Sequence, residues 1–102
     1  MEEYKAMKHK MTMIEGLISN ISYILGIKRE EAELIRLQAE ELSQVADNNM
    51  LNILELINFL AKSGIRYDTL RQATLNELTL MQLGIIVSGG SGYGRIQSDD
   101  SD

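Results

Sequence analysis

The stretch MLNILELINFLAKSG, residues 50–64, decides the fold. Met50, Leu51, Ile53, Leu54, Leu56, Ile57, Phe59 and Leu60 leave almost no polar face when wound into a helix. A helix that is apolar nearly all round is buried centrally or sandwiched between neighbours. Gly64 follows as a stop, because glycine takes the left-handed conformation that ends many helices. A helix over about 49–63 therefore needs others to enclose it, and the rest of the chain has to supply them.

Upstream, Met7, Met11, Ile14, Ile18, Ile21 and Leu25 recur at steps of four and three, which is one face of a helix over residues 2–25. Met13, Leu17 and Ile24 widen that stripe, so this helix should touch neighbours on two sides. Gly26 is placed as its left-handed cap. Gly16 lies inside the helix at a cost of about 1 kcal/mol relative to alanine, which points to close helix packing there. A second helix reads over 28–46. Glu30, Glu31 and Glu33 sit in its first turns, where carboxylates meet the positive end of the helix dipole. Leu34, Ile35, Leu42, Val45 and Ala46 form its apolar side, and Arg36, Glu40 and Glu41 its wet side. Asp47, Asn48 and Asn49 then make a polar break with N-cap character.

Downstream, IRYDT (65–69) is a short link with Asp68 or Thr69 as N-cap of a fourth helix. That helix runs to about Leu83, ends in NELTLMQLG (76–84) and is stopped by Gly84. Ile85, Ile86 and Val87 then lead into SGGSGYGRIQSDDSD, whose composition is that of a flexible tail. Strand patterns are absent. The expected class is all-α: a single four-helix domain over residues 1–84 with a flexible Gly/Ser/Asp-rich tail over 85–102.

Composition narrows the function. A chain of 102 residues is one domain, and 44% hydrophobic with 25% charged residues is ordinary for a soluble globular protein. The absence of cysteine removes disulfides and thiolate metal sites and fits a cytoplasmic location. A net charge of −5 argues against a face for the phosphate backbone, and four tyrosines with one phenylalanine supply few stacking platforms. No uninterrupted apolar stretch approaches the roughly 20 residues of a membrane span. Neither direct nucleic-acid contact nor a membrane is expected.

The raw materials of catalysis are also thin. His9 is the only histidine and has no cysteine or second histidine at metal spacing. The acids Glu30, Glu31, Glu33, Glu40 and Glu41 read as solvated helix surface. GGSGYG (89–94) has neither the preceding strand nor the lysine of a phosphate-binding loop. ISYILGIKREEAELIRLQ (21–38) has the outline of a helix-turn-helix, but its second helix opens on glutamates that repel phosphates. The six methionines, spread at helical spacing, read as core filler rather than as a promiscuous groove. The expectation is a non-enzyme with no catalytic, cofactor-binding or metal residue and no cofactor. What remains is an excess of large aliphatics in the third and fourth helices, which small chains often resolve by oligomerising or docking on a partner.

ILELINFLAKSGIRYDTLRQATLNELTLMQLG (53–84) resembles the last two helices of the collar domain of the bacterial DNA polymerase III clamp-loader subunit gamma/tau. IRYDT stands where that family turns between helices, and Glu77-Leu78-Thr79-Leu80 stands in the place of its Glu-Leu-Thr-Leu run. MIEGLISNISYILGIK (13–28) is similar to the first collar helix, so the resemblance spans about residues 11–84. It implies an oligomerisation module supporting DNA replication, in which collars of several subunits associate side by side. The partners it implies are further copies of this chain or other clamp-loader subunits. The chain has no Walker lysine, cysteine ligands or arginine-finger motif, so an isolated collar of this kind would not hydrolyse ATP. Leu70, Leu78, Met81 and Gln82, on one side at helical steps, are the expected contact face. The alternative is a free-standing helical adaptor or inhibitor, for example phage-encoded, that binds a host protein through an apolar groove. A small DNA-binding repressor is a third reading, disfavoured by charge.

Overall fold

A computed structural model describes residues 2–45 and 48–88 of the chain. Those residues form five helices and no strand: α1 (Glu2–Leu25), α2 (Arg29–Val45), α3 (Met50–Lys62), α4 (Tyr67–Gln72) and α5 (Leu75–Val87). The all-α class stands, while the expected fourth helix divides into two.

The division has a local cause. The Thr74 hydroxyl accepts from the Glu77 backbone N–H at 3.1 Å, and the Glu77 carboxylate accepts from the Thr74 backbone N–H at 2.8 Å. This reciprocal capping box satisfies two donors that a new helix would otherwise leave unpaired. Ala73 and Thr74 are extended, so α4 ends and α5 restarts within two residues. Asp68 and Thr69, the expected N-cap candidates, lie inside the first turn of α4, whose N-cap is Arg66 without a side-chain cap. At the other end, α5 passes through Gly84 and stops at Val87. Positive φ occurs at Gly26 and Gly64 but not at Gly84. Ile85 is buried, and that anchor holds the last turn in helical form. Residues 85–87 therefore belong to a helix rather than to a tail. The remainder of the expected tail, residues 89–102, lies outside the described residues, as do Ala46 and Asp47.

Other sequence signals hold as read. Gly26 and Gly64 take φ of 67° and 98° and close α1 and α3. The Asn49 side chain accepts from the Leu51 N–H at 2.8 Å and caps α3. α3 is the centre of the fold: it packs on α1, α2 and α5, while α1 also meets α2, and α2 holds α4. Its Ile53, Leu54, Ile57 and Leu60 join Ile18, Ile21, Ile35, Leu70 and Leu78 in one continuous core.

Gly16 differs from its reading. It is exposed, and a Cβ added there would meet nothing within 4 Å, so no helix packs against it. On α2 the buried positions are Ala32, Ile35, Gln38 and Ala39, whereas Leu34 and Val45 face solvent. Among the described residues Gln38 is the one buried polar side chain. Its amide donates to the carbonyls of Leu70 and Ala73 at 2.8 and 3.2 Å, and its oxygen accepts from Arg71 at 3.0 Å. The Ala73 carbonyl at the end of α4 thereby gains a partner, and the Leu70 carbonyl, which also accepts from the Ala73 backbone N–H at 3.4 Å, gains a second. The Tyr67 hydroxyl donates to the Glu31 carbonyl at 3.3 Å and fixes the other end of α4.

Candidate functional site

The sequence from Leu78 to Ser88 contains no charged residue, and α5 places its side chains on two opposite faces. Leu78 and Ile85, seven residues apart, are buried against the core, with Leu75, Met81 and Gln82 half-buried beside them. A helix repeats about every 3.6 residues, so positions 80, 83 and 87 fall on the other side. Leu80, Leu83, Ile86 and Val87 are 57, 54, 59 and 76% exposed. The described chain leaves this outer face bare. Gly84 lies at its edge with open space where a Cβ would stand, so another backbone can approach closely there.

The expected contact residues are thereby sorted. Leu78, Met81 and Gln82 do share one side of α5, but that side turns inward. Leu70 belongs to α4, and both it and Leu78 are fully buried within this chain, which leaves them no surface for a partner. Met81 and Gln82 keep partial exposure and form the rim. Met81 lines a shallow cleft with Thr69, Gln72, Glu77 and Leu80. The exposure of Leu80, Leu83, Ile86 and Val87 is not legible in the sequence, because the run from Leu78 to Val87 carries no charge to mark its outer side.

Ionic features lie elsewhere. Arg29 pairs with Glu15 of α1 and Glu33 of α2, and Arg36 pairs with Glu33 at 2.7 Å. Hydrogen bonding from Arg36 holds the Glu33 carboxyl below the usual carboxylate range. These partly exposed pairs join helix surfaces, and such pairs contribute little to stability. His9 is exposed on α1. No group of three or more metal-ligating side chains occurs among the described residues. No helix among them is long and apolar enough to cross a membrane. GGSGYG lies outside the described residues.

No protein-family model, curated protein or solved structure matches the chain.

Proposed function

We propose that this chain is a non-catalytic assembly module that associates with further copies of itself through the outer face of α5. The observation that carries the reading is the uncharged apolar surface of Leu80, Leu83, Ile86 and Val87 beside Gly84. A face without charge meets no electrostatic penalty when it pairs with its own copy, and aliphatic surface removed from water contributes about 25 cal/mol per Å². Met81 and Gln82 would form the rim of that contact. A collar-like role in a replication clamp loader is the specific form of this proposal. It draws support from the Glu77-Leu78-Thr79-Leu80 run and the helical architecture.

Light scattering across a concentration series, with native mass spectrometry for stoichiometry, tests it. The wild type should exceed the monomer mass, and Leu83→Asp should return it to monomer with its helical circular dichroism intact. A wild type that stays monomeric at every concentration overturns self-association. A closed ring supports the collar form, whereas a two-fold dimer supports self-association without it.

A further inference from the structure

The apolar seam of α1 is longer than the bundle that uses it. Tyr4, Met7, Met11, Ile14, Ile18, Ile21 and Leu25 follow steps of three and four without a break. Ile18 and Ile21 are fully buried, whereas residues 3–13 are all exposed and Tyr4, Met7 and Met11 are 62, 61 and 60% accessible. The bundle stops where Met50, at the start of α3, and Glu40 of α2 share a cleft with Met11 and Ile14. Beyond that corner no described residue covers the seam, which Lys8 and Lys10 flank on its two sides. Between Tyr4 and Ile14 the chain carries Lys5, Lys8 and Lys10 and no carboxylate, while Glu3 and Glu15 stand at the two ends of that stretch, Glu15 already paired with Arg29.

We infer that the free half of α1 is a docking edge for an amphipathic helix of another protein, one whose apolar stripe is flanked by glutamate or aspartate. That helix would lie in line with the bundle, extending the buried seam from Ile14 to Tyr4. Charge selects it over a second copy. An antiparallel pair centred on His9 brings Lys8 and Lys10 of one copy against the same lysines of the other. A parallel pair drives both bundles into one space, because each bundle sits on this same seam. An anionic membrane suits the seam less well, since three side chains make a narrow stripe and the protein is acidic as a whole. Met7, Met11 and Met13 are exposed rather than the core filler that their spacing suggests, and methionine gives the edge an adaptable surface for such a helix. This surface is separate from the outer face of α5.

Fluorescence anisotropy with the full chain tests the inference. The probe is a labelled synthetic peptide of three heptads with leucine at its seam positions and glutamate on both flanks. A matched peptide with lysine on the flanks is the control. The glutamate peptide should bind at least about tenfold tighter than its control, and added salt should narrow that gap. Lys8→Glu with Lys10→Glu should reverse the preference, and hydrogen exchange should show protection over residues 4–14. Absent or equal binding of the two peptides, an unchanged preference in the double variant, or protection confined to α5 overturns the inference. So does binding to phosphatidylserine vesicles without binding to the peptide, which assigns the edge to membranes instead. All substituted residues are exposed, and unchanged circular dichroism verifies that the variants fold.

Discussion

α3 and α5 are of equal length, 13 residues each, and both are rich in large aliphatics, but α3 keeps Asn52, Glu55 and Lys62 together on one exposed side. α3 buries Ile53, Leu54, Ile57, Leu60 and Ala61, whereas α5 buries only Leu78 and Ile85. The difference is in their neighbours. α3 lies among α1, α2 and α5, while the main support of α5 is α3 itself. Composition states that a helix needs covering; topology decides what covers it. For α3 the cover is the chain's own, and for α5 the described residues supply only the inner half of it.

The sharpest way to break this contrast is to truncate one leucine in each helix. Leu54→Ala in α3 should cost roughly 2–5 kcal/mol in denaturant unfolding, the range of a buried leucine left as a cavity. Leu83→Ala on the outer face of α5 should change the stability of the dissociated chain by less than about 0.5 kcal/mol. Equal losses at the two sites would mean that α5 is enclosed as α3 is, and the contrast would fail.

Gly84→Ala bears on the course of α5. The glycine lies within the helix, has no positive φ and has open space around its missing Cβ. Alanine should therefore stabilise the dissociated chain by about 0.5–1 kcal/mol in urea unfolding below the concentration at which copies associate. A loss of similar size would show that the helix stops at Gly84 in a left-handed cap.

The smallest effect concerns pH. Arg36 lowers the pKa of Glu33 in the folded chain, so this carboxylate stabilises the fold above its unfolded pKa. That contribution disappears as the pH falls through the depressed folded value. Because Glu33 and Arg36 are each about a third exposed, the loss should stay well under 1 kcal/mol. Arg36→Met should flatten the acid limb of the stability profile slightly. An unchanged limb would mean that solvent already screens the pair.

Much of the fold was legible in the residues. The spacing from Met7 to Leu25 marks α1, and Gly26, Asn49 and Gly64 punctuate the chain where they were read. The break at Ala73–Thr74 was written as well, in the Thr-Leu-Asn-Glu of a capping box, but the leucines on both sides continue a helical rhythm across it. Gln38 was not legible. A glutamine on a helix reads as surface until the carbonyls of Leu70 and Ala73, more than thirty positions away, are seen to accept from its amide. The burial of Leu70 and Leu78 was hidden for a related reason. Direction on α5 is set by α3 from outside, and nothing in an uncharged run of leucine and isoleucine states which side meets it.

The connections after α1, α3 and α4 span only residues 26–28, 63–66 and 73–74, and the chain contains no proline. Helices that meet their neighbours across such short links need little diffusive search, and helical bundles of low contact order form in about microseconds to milliseconds. No X–Pro bond is present to impose the isomerisation delay of roughly 10–100 s. Below the concentration at which copies associate, refolding should run as a single fast phase, and any slower phase that grows with concentration would time the meeting of α5 faces.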